Sequence, residues 1–376
     1  MPSTNGRPLF TGTDTAAQLP VDYRFFEARN GNRHLVVVFA NFDAPEDYGW
    51  SNGVLDKLRA NVLWIRDRFD GHNAYYLCRE LDFSVEQSVA ALIERFLTAL
   101  ALTPRDCTLL GSSKGASAAQ YFGLKYGYQN VVAIAPQFAI GSYVQQVHPK
   151  VARFMLGDQP DDAAVRELDA CLPDLVREGR HRDVNIYLFS SPADAQYRNQ
   201  VEPFLLLFHD YENFNFVFTD SPFVTDHTQV AGRNVPVIMG VLNLLIDGIA
   251  PRLGFVRNGY EDPQADRSPL HAHLAATALP GTWVAPPVIT SAPAHPPQPA
   301  LLAGTARDAV AVQFWEHGTL GTTDVAPDGT WSWTPQKPWP AGRHTVRTFA
   351  VNTHGAESER TTTVLTFDTP CPGRTR

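Results

Sequence analysis

The chain has 376 residues, 44% of them hydrophobic and 19% charged, with a formal net charge of −8. That length supports a large buried core and more than one domain, and an acidic balance with scattered Lys and Arg excludes a general nucleic-acid surface. Residues 1–20 carry no basic flank followed by an apolar segment, and the apolar stretch Val235 to Ile249 is interrupted by Asn243 and Asp247, so neither a secretory leader nor a transmembrane segment is expected; a cytoplasmic location is the default, and export without a cleaved signal stays open.

Tyr23, Phe25 and Glu27, then Asn30-Gly31-Asn32, then His34 to Phe39 predict a hairpin leading into a buried strand. Asn61 to Arg66 reads as the next strand. The segment 66–76, with Arg66, Asp67, Arg68, Asn73, Tyr75 and Tyr76, mixes rings with hydrogen-bonding groups and suits either a polar ester or sugar surface, or a structured loop whose charges face water. Ser84-Val85-Glu86-Gln87 has the form of a capping box, and Val85, Val89, Leu92, Ile93, Phe96, Leu97 and Leu100 recur at helical spacing.

Cys107 to Leu110 is a strand that runs into Gly111-Ser112-Ser113-Lys114-Gly115 and then into the small-residue helix opening at Ala116. Val131 to Ala135, Val184 to Ser190 and Phe214 to Thr219 are short and rich in Val, Ile, Phe and Tyr, as central strands covered on both faces are. Between them, 144–180 holds a helical pattern from Asp162 to Val176 that could cap the mouth of a site, without the large apolar lid of a lipase. A closing helix is expected from Val235 to about Ile249, with Val237, Val241, Leu244 and Leu245 inward. The fold class is α/β.

From about 250 to 300 this order is lost, and prolines at 263, 286, 287, 293, 296, 297 and 299 read as a tether. The runs 309–315, 329–333, 344–351 and 361–367 alternate in the manner of a small β-sandwich. The boundaries are 1–260 for the α/β domain, 261–283 for a linker and 284–370 for the sandwich. In Leu320-Gly321-Thr322, Asp328-Gly329-Thr330-Trp331 and Asn352 to Ser358 this tail resembles bacterial Ig-like domains, which implies a protein or cell-surface contact rather than a second active site. Cysteines 78, 107, 171 and 371 have no metal-like or redox spacing and read as thiols.

The chemistry concentrates at Ser113. A G-x-S-x-G between strand and helix thrusts its serine out at a strained turn, facing backbone amides and a helix N-terminus. A serine needs a base and the base an orienting acceptor, both at the carboxyl ends of later strands. His227 follows the run 214–219, and Asp194 follows the run 184–190, with Asp220 and Asp226 as alternatives for the acid. The amide of Lys114, with that of Asn41 or Phe42, is the expected oxyanion hole, although Phe42 could serve only as a pocket wall. His148 and His209 lack comparable placement, and no compact carboxylate-histidine set suggests a metal or other cofactor.

With these residues the domain resembles the α/β-hydrolase superfamily. In Gly111 to Ala116, Ala135-Pro136-Gln137, Ser191 to Tyr197 and Thr225-Asp226-His227 it is similar to a bacterial branch containing glycan O-acetylating proteins of accessory secretion systems and hydrolase-like proteins of capsule biosynthesis. The resemblance implies acyl transfer by Ser113, Asp194 and His227, as hydrolysis or transfer of a small acyl ester such as acetyl on a carbohydrate. The alternatives are a noncatalytic glycan- or protein-binding secretion accessory and a serine peptidase.

Overall fold

Strands that are apolar on both faces need cover on both, and the runs Leu35–Phe39, Asn61–Ile65, Cys107–Ser112, Asn130–Ile134 and Asn185–Ser190 are almost wholly buried. The computed structural model describes residues 7–262, 265–292, 301–316 and 318–367, and divides into two units, Met1–Pro263 and Gln264–Arg376. The first unit runs β1 (Phe10–Asp14), β2 (Val21–Phe26), β3 (Leu35–Phe39), β4 (Asn61–Ile65), α1 (Ser84–Ala99), β5 (Cys107–Ser112), α2 (Lys114–Tyr126) and β6 (Asn130–Ile134). It continues through α3 (Ile140–Val147), α4 (Pro149–Leu156), α5 (Asp162–Glu178), β7 (Asn185–Ser190), the short α6 (Tyr197–Gln200), β8 (Asn213–Thr219), α7 (His227–Leu245) and β9 (Phe255–Asn258).

These strands form one nine-stranded sheet in the order β1-β2-β4-β3-β5-β6-β7-β8-β9, parallel from β4 to β9. Alternation along β3 divides the core. Leu35, Val37 and Phe39 join the cluster that includes α1, α2 and α5 residues, whereas Val36 and Val38 join the one under α7. The chain steps outward from β3 to β4 and then crosses back to β5 on the other side of β3. Strand order reverses there, and the carboxyl ends of β3 and β5 frame the crevice in which such sheets place ligands.

Several expectations are corrected. Residues 23–39 do not form a hairpin: β2 pairs with β1 and β4, and β4 inserts between β2 and β3. Asn61 secures that insertion, its amide side chain donating to the carbonyl of His34 and accepting from the N–H of Ala28. The capping box at Ser84 does not form, because Asp82 accepts the Ser84 N–H instead. The closing helix starts at His227 rather than Val235 and carries Pro236 inside it; Val230, Ile238, Val241, Leu242 and Leu245 are buried, whereas Val237 and Leu244 are exposed. Of the stretch 144–180, helix α5 packs on α2 and α3 through Val165, Leu168 and Leu172 and contributes no residue to the cleft over Ser113, whereas His148 lines it. The segment 250–262 is not featureless, since β9 extends the sheet beside β8.

The second unit begins with α8 (Ser268–Thr277), which the sequence does not announce and which buries no side chain. β10 (Val288–Ser291), β11 (Leu302–Thr305), β12 (Ala311–Trp315), β13 (Thr319–Asp324), β14 (Thr330–Trp333), β15 (Gly342–Val351) and β16 (Thr361–Phe367) follow. They make two antiparallel sheets, β10-β11-β14 and β13-β12-β15-β16, with a shared core of Leu302, Trp331 and Trp333 against Val312, Phe314, Val346 and Leu365. Phe314 stacks on Trp333 with centroids 4.1 Å apart. This arrangement is compatible with a β-sandwich. Cys78, Cys107 and Cys171 are free thiols, and the proline-rich stretch 293–299 and Cys371 lie outside the described residues.

Candidate active site

The turn between β5 and α2 exists because two glycines let backbones meet. A Cβ on Gly111 would lie 2.1 Å from the carbonyl of Gly115, and one on Gly115 would lie 2.4 Å from the carbonyl oxygen of Phe39. The second approach sets the start of α2 against the end of β3, where Asn41 and Phe42 follow. Ser113 occupies the turn at φ 54 and ψ −125, a conformation that costs a non-glycine residue about 1–3 kcal/mol and persists only where its surroundings impose it. Its amide donates to the carbonyl of Ile134 at 2.8 Å, tying the turn to β6.

Three side chains from three strand ends meet at this turn. Ser113 Oγ lies 2.8 Å from His227 Nε2, and His227 Nδ1 lies 2.8 Å from Asp194 Oδ2. An ionised carboxylate only accepts, so Nδ1 carries the proton and Nε2 is left to accept from the serine hydroxyl. Asp194 is 2% exposed and receives a further hydrogen bond from the Gln196 amide, which holds the carboxylate toward the ring. His227 opens α7, whose N-cap is Asp226. That duty consumes Asp226, which accepts from the amides of Thr228 and Gln229, while Asp220 pairs with Arg257 on β9. Of the three aspartates considered for the acid, Asp194 is the one bonded to His227.

Lys114 turns its side chain away from the cleft into the protein, where it forms an ion pair with the equally buried Asp67. Burial pulls its pKa below the ordinary lysine value, against the opposing pull of Asp67. Its side chain is therefore committed to the interior. Asp67 also accepts the amides of Ala74, Tyr75 and Tyr76, and the Tyr76 hydroxyl donates to the Ile65 carbonyl and accepts from the Ala40 amide. Residues 66–76 thus brace the turns on either side of the crevice from within. Tyr75 and Tyr76 are fully buried and offer no ring to a ligand, which sets aside the sugar-facing reading of this segment for them.

A cleft of about 280 Å³ opens over Ser113, lined by Asn41, Phe42, Trp50, Tyr143, His148 and His227 among others. Asn41 and Phe42 are therefore beside the serine, as their position after β3 implies. His148, which sequence placement sets aside, stacks on Phe42 with centroids 3.9 Å apart, its pKa lowered by burial. Tyr143 comes from α3 and receives a hydrogen bond from Gln196 at 3.2 Å. His209 is exposed and pairs with Asp210. Position beyond a strand end gives no clue to His148 or Tyr143, which reach the cleft from a helix and its boundary. Gln137, three residues past β6, shares the strand-end signal of Asp194 and contacts Ser113 directly.

No protein-family model matches the chain, and no curated protein sequence matches it significantly. Among solved structures it is similar to the capsule O-acetyltransferase of Neisseria meningitidis serogroup A, at 20% identity over 61% of this chain and 96% of that one, with a TM-score of 0.50. It is also similar to the substrate-bound fluorophosphonate-binding serine hydrolase FphF of Staphylococcus aureus, at 10% identity over 64% of this chain and 98% of that one, with a TM-score of 0.50. Taken with the switch in strand order and the serine-bearing turn between β5 and α2, these likenesses identify the fold of the first unit as that of the α/β-hydrolases.

Proposed function

We propose that the first unit hydrolyses or transfers a small acyl group, acetyl foremost, carried as an ester on a carbohydrate, through an acyl-enzyme on Ser113. The observation that carries this reading is the unbroken series of hydrogen bonds from Asp194 through His227 to Ser113 Oγ, each 2.8 Å long. His227 Nε2 takes the hydroxyl proton as Oγ bonds to the acyl carbon, and the carbonyl electron pair moves onto its oxygen. The Lys114 amide, together with that of Asn41 or Phe42, receives this oxyanion. Collapse expels the leaving alkoxide, which takes the proton from His227. Water or an acceptor hydroxyl then gives up a proton to His227 and attacks the acyl-enzyme.

The modest volume of the cleft favours a short acyl group, and the rim of Trp50, Asn41 and Asn52 supplies a ring face and amides of the kind that bind sugar hydroxyls. The similarity to a capsule O-acetyltransferase supports acyl transfer or hydrolysis in general. In this reading the C-terminal sheets form an Ig-like module for association and take no part in the chemistry. The test is mass spectrometry of acetylated glycans incubated with wild type and Ser113→Ala, with an acceptor glycan present. Ser113-dependent loss of acetyl to water identifies an esterase and movement to the acceptor a transferase; no Ser113-dependent change contradicts the substrate class.

A further inference from the structure

Ser113 Oγ has a second partner. Gln137 is fully buried, and its Nε2 donates to Oγ at 3.0 Å. The rest of the side chain is held on every side. Its other Nε2 hydrogen goes to Gln196 Oε1 at 2.7 Å, and its Oε1 accepts from the Tyr75 hydroxyl at 3.2 Å. The backbone is fixed too, since the Ser117 hydroxyl donates to the Gln137 carbonyl at 2.8 Å and accepts its N–H at 2.9 Å. Tyr75 is itself immobile, with its own amide bound by Asp67. The nitrogen end of the carboxamide is thereby presented to the serine by the buried Tyr75 and Ser117 and the half-buried Gln196.

A hydroxyl has one proton to give and two lone pairs. With Gln137 donating to one lone pair of Oγ, the single proton of Ser113 is aimed at His227 Nε2. Resting on the serine mechanism proposed above, we propose that Gln137 is a fourth catalytic side chain, a fixed N–H donor to the nucleophilic oxygen. In acylation the Oγ–H bond breaks, the proton passes to His227, and the electron pair left on Oγ forms the bond to the acyl carbon. In deacylation the pair of the carbon–Oγ bond returns to Oγ, which recovers its proton from His227. Gln137 loses no hydrogen in either direction. It stabilises the partial negative charge that Oγ carries in both, in a buried setting where a preorganised donor acts more strongly than water. Through Gln196, whose amide holds Asp194, the same network links the nucleophile to the acid without passing through the histidine.

The full-length protein is assayed for its rate of labelling at Ser113 by an organophosphonate and for turnover of p-nitrophenyl acetate, with thermal melting as the control for folding. Gln137→Leu, which keeps the bulk and removes the donor, is expected to slow labelling about 10- to 100-fold and to lower kcat rather than raise KM. Gln137→Glu keeps the shape and gives a readout that packing alone would not. Below its own pKa the introduced carboxyl donates to Oγ, and above it the carboxylate accepts the Ser113 proton in competition with His227. Activity relative to the wild type at the same pH should therefore fall as pH rises through the pKa of the introduced carboxyl. Both variants labelling at the wild-type rate, or a Gln137→Glu profile parallel to the wild type, would overturn the proposal, and should Gln137→Leu fail to fold the isosteric variant decides alone. No labelling of Ser113 in the wild type would remove the serine mechanism itself, and the role of Gln137 with it.

Discussion

The two ends of the same parallel sheet use polar side chains in opposite ways. At the amino ends of β6, β7 and β8, Asn185 donates to Asn130 at 2.8 Å, Asn213 donates to Asn185 at 2.7 Å, and Asn215 donates to Asn213 while accepting the amides of Leu253 and Gly254. This series closes on itself and on backbone. At the carboxyl ends, Asp194 through His227, and Tyr75 through Gln137, converge on the single atom Ser113 Oγ at the floor of an open cleft. Two residues at that end, Ser113 at φ 54 and Ala135 at φ 50, also hold left-handed backbone conformations. Polar groups at one end therefore close on one another and on backbone, whereas those at the other are held in a less relaxed geometry around the Ser113 hydroxyl.

Substitutions at the carboxyl ends of the strands should act on activity far more than on stability. Ser113→Ala should lower kcat on a short-chain ester by at least about 10⁴-fold, with the melting temperature preserved. Asp194→Asn should cost about 10³- to 10⁴-fold by favouring the wrong tautomer of His227. Asp226→Asn and Asp220→Asn should leave kcat within a few fold, because their partners are the α7 amides and Arg257. Equal losses for all three aspartates would erase the distinction among them.

The amino edge should answer in stability instead. His34, 5% exposed beneath β3 and hydrogen-bonded to Thr108 at 2.8 Å, has its pKa lowered by burial to about 4. It stays neutral in the folded chain where the unfolded chain takes up a proton. Its contribution is complete above the ordinary histidine pKa of 6.5 and is lost as pH falls from there to about 4, a change of about 3 kcal/mol. In denaturant titrations, the drop in unfolding free energy between pH 6.5 and 4 should be larger for wild type than for His34→Gln by about that amount. Asn185→Ala, which strands Asn130 and Asn213, should cost about 2 kcal/mol with kcat unchanged. A matching loss of kcat there would show that the two edges are not separate in function.

The parallel centre of the fold is legible because its strands are apolar on both faces and bounded by turn residues, and Ser113, Asp194 and His227 stand where those strands end. Pairing is less legible. Asn30-Gly31 has the local form of a hairpin turn, but the strand that sits beside β3 is decided by Asn61, thirty residues away in sequence, bonding to both Ala28 and His34. The choice among Asp194, Asp220 and Asp226 is invisible in spacing, since each follows a strand and only their partners differ. Tyr75 and Tyr76 read as ligand surface because composition does not reveal that Asp67 gathers three successive amides and draws both rings inward. The aim of the Gln137 carboxamide depends on Tyr75 and Gln196, and no local pattern encodes it.

Everything proposed for the cleft depends on Ser113 being the nucleophile. The most direct measurement is treatment of the full-length protein with a fluorophosphonate, followed by proteolysis and mass spectrometry of the peptide spanning residues 105–125. One stoichiometric adduct on Ser113 is expected in the wild type and none in Ser113→Ala. An adduct on Ser112 or Ser117, or none on a folded wild-type protein, would contradict it.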